Sequence, residues 1–88
     1  MIIVAQNRTR TVNFDLVEEI NIKFNKKDKK YAVVAEMNSG KTRFLGKYDT
    51  KEYAMEIKQD IEDTIAHPNT YLPIYYMYID SKKKEENR

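Results

Sequence analysis

Apolar and polar positions alternate along the first half of the chain and then change period. Ile2-Ile3-Val4-Ala5 is a short apolar run closed by the polar cluster Gln6-Asn7-Arg8, and Thr11-Val12-Asn13-Phe14 follows with Val12 and Phe14 on one side. Ile20, Ile22 and Phe24 alternate with Glu19, Asn21 and Lys23, the period-two signature of a strand with one buried face. After the polar turn 25–30, Tyr31, Val33, Ala35 and Met37 share a face of a fourth strand. Asn38-Ser39-Gly40-Lys41 reads as a tight hairpin turn in which Gly40 accepts a positive φ at little steric cost. A fifth strand runs from Thr42 to Tyr48. Such short connections make successive strands pair antiparallel. Between the second and third strands, 15–18 is expected to make a corner that tucks Leu16 and Val17 under the sheet.

At Asp49 the period becomes helical. Ala54, Ile57, Ile61, Thr64 and Ile65 fall on one stripe, extended by Tyr53. Asp49 with Glu52 three positions on gives a capping-box pattern, and Pro68 stops the helix near Ala66. Beyond it, Ile74-Tyr75-Tyr76-Met77-Tyr78-Ile79 is β-branched and aromatic throughout, a strand with both faces apolar. The expected fold is α+β: an antiparallel meander of about five strands, able to curl into a partial barrel, one amphipathic helix across it, and a C-terminal strand. Residues 1–79 form one domain in this reading, and 80–88, without an apolar residue, a disordered tail.

Eighty-eight residues suit a single small core. The absence of Cys excludes disulfides, thiolate nucleophiles and cysteine metal sites. No apolar run is long enough to span a bilayer. Met1 to Ala5 is too short for a signal-peptide core, so a cytoplasmic protein is expected. The charge is uneven: residues 1–47 hold ten Lys/Arg and five Asp/Glu, residues 48–79 two and six. The basic features are Lys26, Lys27, Lys29 and Lys30 about one turn, Arg8 and Arg10 on a neighbouring hairpin, and Lys41 and Arg43. Lysines at such a turn serve to blunt an edge strand, or else offer an anion or an acidic partner a surface.

Catalytic motifs fall away on inspection. Ser39-Gly40-Lys41-Thr42 resembles the end of a phosphate-binding loop, but Ala35 stands where the first glycine belongs, and a strand rather than a helix follows. His67 suits a helix terminus better than a metal site. The carboxylates Glu52, Glu56, Asp60 and Asp63 lie on the polar side of the helix, where they are solvated charges. No enzyme, metal or cofactor is expected. The aromatic residues are more telling. Seven tyrosines are present, with Tyr71, Tyr75, Tyr76 and Tyr78 crowded into the last apolar segment; tyrosine suits core edges, interfaces and stacking alike.

Leu45-Gly46-Lys47-Tyr48-Asp49-Thr50-Lys51-Glu52-Tyr53-Ala54, Ile57, Ile61 and Tyr71-Leu72-Pro73, with Val12-Asn13-Phe14-Asp15 and Ile20, resemble a pattern in small accessory proteins of phages and prophages of Gram-positive bacteria. The resemblance rests on strand ends, a cap and a helix seam, and carries over no functional residue. It implies a binder acting on host proteins or signals. The expected function is therefore a non-enzymatic binding protein engaging a host protein, in a counter-defence role. Two alternatives remain: a sponge for a cyclic or linear nucleotide, built on Tyr75, Tyr76, Tyr78 or Tyr31 with Arg8, Arg10, Lys41 and Arg43, and weak single-strand nucleic-acid binding. Self-association through the C-terminal strand is also expected.

Overall fold

Alternation of side chains governs both halves of the sheet structure in the computed structural model, which describes residues 2–66 and 74–79. The elements are β1 (Ile2–Val4), β2 (Thr11–Asn13), a 3-10 turn (Phe14–Leu16), β3 (Val17–Asn25), β4 (Lys30–Met37), β5 (Thr42–Tyr48), α1 (Lys51–Ala66) and β6 (Ile74–Tyr76). The protein is α+β, as the pattern predicts. Its strands divide into two sheets of three, ordered β2-β1-β6 and β3-β4-β5.

The longer sheet is the antiparallel meander. Val33 and Ala35 of β4, Ile20 of β3 and Leu45 of β5 turn inward and are buried beneath the helix. From α1, Ala54, Ile57 and Ile61 are fully buried against them, while Tyr53 and Ile65 pack at the margin. Burying Ile57 and Ile61 contributes about 1.5–3 kcal/mol each before entropy is subtracted. The helix begins one residue later than the capping-box reading places it: Thr50 is the cap, its Oγ1 accepting from Tyr53 N at 3.1 Å. Asp49, just before it, accepts from Lys30 Nζ at 3.0 Å. The 38–41 turn forms as expected, with Gly40 at φ 91° and its N–H donating to Met37 O at 2.9 Å. Leu16 departs from expectation. The 3-10 turn carries its side chain outward, 53% exposed, while Phe14 and Val17 pack on the core.

In the smaller sheet β1 lies between its two partners. It pairs antiparallel with β2 (Ile3 opposite Val12) and parallel with β6 (Ile3 beside Tyr75). Ile3, Val12 and Tyr75 point inward to join the common core. The apolar run 2–5 thus contains a central strand, with Ile3 and Ala5 buried and Ile2 exposed on the other face. The C-terminal segment finds its first edge within its own chain, on β1.

A bulge joins the two sheets. Phe44 stands opposite Val34 and Gly46 opposite Val33, so Leu45 is the extra residue of β5, and its carbonyl accepts the Gln6 N–H at 2.7 Å. Gly46 keeps this corner open: a Cβ there would lie 3.0 Å from the Tyr48 hydroxyl and 3.1 Å from Gln6 Cβ. The Tyr48 side chain passes through the space and donates to Tyr78 O at 2.7 Å.

Candidate functional site

The smaller sheet has an apolar outward face. Because Ile3 and Tyr75 point inward, their neighbours Ile2, Val4, Ile74 and Tyr76 all point outward, and the parallel register sets Ile2 beside Ile74 and Val4 beside Tyr76. Ile2, Ile74 and Tyr76 are exposed, Tyr76 at 55%. Ile79, in the bend that follows, is exposed too. Within the described residues no strand pairs with the other side of β6. A contiguous apolar sheet face beside an open strand edge is a surface suited to contact with another macromolecule.

Arg8 is fixed at the border of that face. Asn7 Oδ1 accepts from Thr9 N at 3.0 Å and from Thr9 Oγ1 at 2.8 Å, a side-chain turn that holds Arg8 in the left-handed region at φ 63°. From there the Arg8 guanidinium donates to Met77 O at 2.9 Å and lies 5.3 Å from the centroid of the Tyr76 ring. The turn is therefore latched onto the end of β6, and one aromatic–cation pair is presented outward. Arg10 is exposed, and its carbonyl accepts from Ala5 N at 2.9 Å to close the hairpin.

The remaining expected contacts are scattered. Tyr75 is buried and donates its hydroxyl to Asp60 Oδ2 at 2.7 Å. Burial, reinforced by that carboxylate, pushes its phenol well above the ordinary tyrosine range. Tyr78 is half-buried, its ring 6.5 Å from that of Tyr75. Tyr31 packs against Phe24 at 4.9 Å. Tyr71, His67 and the 80–88 tail lie outside the described residues. With Tyr75 enclosed and Tyr31 engaged, the tyrosines do not gather into one stacking pocket among the described residues.

The lysine turn is partly neutralised. Lys30 pairs with Asp49, and Lys47 with Asp28. The Lys47 ammonium bonded to Asp28 holds that carboxyl below its ordinary value against the burial that opposes it, helped by the Lys30 N–H. Lys26, Lys27 and Lys29 remain exposed around the turn, with Lys29 at φ 56°. On the outer face of the longer sheet, the Thr42 hydroxyl, the Asn21 amide and Lys23 all converge on Glu36 and lower its pKa, Thr42 most.

Lys41 and Arg43 belong to a different place. With Leu16, Met37, Asn38 and Ser39 they line a cavity of about 480 Å³ between the 3-10 turn and the β4–β5 hairpin. The outward Leu16, unexpected from the sequence, makes one wall of it. Among the described residues no three His, Cys, Asp or Glu side chains converge to hold a metal ion, and no helix is long and apolar enough to cross a membrane. Set against protein-family models, characterised proteins and solved structures, the chain finds no match in any of the three.

Proposed function

We propose that this chain is a non-enzymatic binding protein that engages a protein partner through the outward face of the β2-β1-β6 sheet. The observation that carries the reading is the pairing of Ile2 with Ile74 and Val4 with Tyr76 on one outward face, beside the edge of β6 that no strand covers among the described residues. Apolar area of this kind supplies affinity, and the Arg8–Tyr76 pair supplies the type of side chains that concentrate binding energy. The resemblance to phage accessory proteins directs the same surface toward a host protein. The edge of β6, uncovered among the described residues, equally supports an isologous contact with a second copy.

The test is affinity capture from a bacterial lysate with the native chain and with Ile74→Asp and Tyr76→Asp, alongside sedimentation of each. Both positions are exposed, so the folded spectrum should persist. A partner retained by the native chain and lost by both variants is the expected result. A native dimer that both variants dissociate would identify the partner as a second copy. Equal capture by all three chains, or a monomer that enriches nothing, would remove this surface from the account.

A further inference from the structure

The cavity beside the β4–β5 hairpin has a division of chemistry that the sheet-face reading does not use. Its apolar side is Leu16 and Met37; its polar side is Lys41, Arg43, Ser39 and Asn38. Elsewhere on the molecule Lys23, Lys30, Lys47 and Lys58 each meet a carboxylate. Lys41 and Arg43 meet none among the described residues, and the Ser39 hydroxyl and Asn38 amide make no hydrogen bond there. The backbone is meanwhile spent on the hairpin itself: Met37 N donates to Lys41 O at 2.8 Å, Gly40 N to Met37 O at 2.9 Å, and Asn38 N to Leu16 O at 2.9 Å. These bonds hold the two walls at a defined separation and leave side chains as the available partners. Every ionised group lining the cavity is cationic, and its volume of about 480 Å³ falls within the roughly 300–1,000 Å³ of small-molecule sites.

We infer that this cavity binds a small organic anion, its phosphate or carboxylate head held by Lys41 and Arg43 and its apolar body laid against Leu16 and Met37. Arg43 is half-buried, so its planar donor fork is partly desolvated and suits a head with several acceptor oxygens. Lys41, exposed at the rim, adds a second positive charge. The apolar wall separates this from generic ion attraction, because a bare anion gains nothing from Leu16. A nucleotide and an aromatic or fatty acid share the required chemistry. The inference does not depend on the sheet-face reading, since none of these residues contributes to that face.

Amide-correlation NMR of the full chain tests it with four probes: inorganic phosphate, phenyl phosphate, adenosine monophosphate and hexanoate. Phenyl phosphate should shift the amides of Asn38, Ser39, Gly40 and Lys41, and bind roughly tenfold or more tighter than inorganic phosphate. The stronger of adenosine monophosphate and hexanoate then tells a nucleotide from a simple acid as the natural source. Lys41→Gln with Arg43→Gln should weaken phenyl phosphate by about tenfold or more. Leu16→Ser, at an exposed position that leaves the fold intact, should weaken phenyl phosphate and leave inorganic phosphate unchanged. Equal affinity for phosphate and phenyl phosphate, shifts located away from residues 38–41, or full binding by Leu16→Ser would each overturn the inference.

Discussion

The side-chain amide of Gln6 pairs with Lys47 as a strand residue would. Lys47 N donates to Gln6 Oε1 at 2.9 Å, and Gln6 Nε2 donates to Lys47 O at 3.1 Å. The same Nε2 also reaches the carbonyls of Tyr78 and Ile79, at 3.1 and 2.5 Å. One glutamine thereby ties the turn after β1 to β5 beside the bulge at Leu45, and gathers the chain after β6 to the same point.

Gln6→Ala should therefore cost about 1–3 kcal/mol, because it strands partly buried backbone groups of Lys47 rather than merely losing a surface contact. Gln6→Glu should cost at least as much at neutral pH, since a carboxylate cannot donate to the carbonyls of Lys47, Tyr78 and Ile79. Urea denaturation of the three chains measures this. Native-like stability of Gln6→Ala would mean that solvent replaces the amide without loss.

The contrast between what a pattern announces and what it conceals is clear at this joint. Strands β3 to β5 and helix α1 follow from local periodicity, because one core-facing side imposes a period of two that starts at the buried Ile20 and half-buried Ile22 and runs out at the exposed Phe24, and a helical stripe on Ala54, Ile57 and Ile61. The division into two sheets leaves no such trace. It depends on a parallel pairing between segments at opposite ends of the chain, and on one residue, Gln6, that looks like any polar turn position. The 74–79 segment forms a strand only over Ile74–Tyr76, with Ile74 and Tyr76 exposed rather than covered, and its partner, β1, is not written in it. The candidate contacts fare similarly. Charge and aromatic content single out Arg8, Tyr76, Lys41 and Arg43, while the cavity wall at Leu16 exists only because the 3-10 turn directs that side chain outward.

Among the described residues, Asp28 and Glu36 contribute to the acid response. The pKa values of Asp28 and Glu36 are both lowered in the folded chain, Asp28 chiefly by Lys47 and Glu36 chiefly by the Thr42 hydroxyl. A group with a depressed folded value binds fewer protons in the native than in the unfolded state. Its contribution is present above the unfolded carboxyl range and is lost as pH falls through the folded value. Asp28→Asn and Glu36→Gln should each lower the melting temperature at neutral pH. Their difference from the native chain should close as pH falls from about 5 to below about 3. A gap between native and variant that persists unchanged at the acid end would show that the lost contact, not the charge, accounts for the effect.

Tyr75 governs the opposite end of the pH range. Its hydroxyl ties β6 to α1 through Asp60, over 2.7 Å, and burial together with that carboxylate raises its pKa. Tyr48, buried beside Tyr53, is raised for the same first reason. A raised folded value means that the native chain keeps a proton which the unfolded chain releases near pH 10, so stability is whole below about pH 10 and declines as pH rises beyond it. Tyr75→Phe should lose the bond to Asp60, a cost of about 1.5–3 kcal/mol for a donor to a charged group, and should also flatten the alkaline decline. Asp60→Asn, which keeps an acceptor oxygen, should cost less. Phenolate absorbance followed with unfolding checks both points: in the native chain the buried tyrosines should ionise with the loss of structure, after the exposed ones. Early ionisation of every tyrosine in the still-folded protein would show that the β6–α1 tie opens in solution.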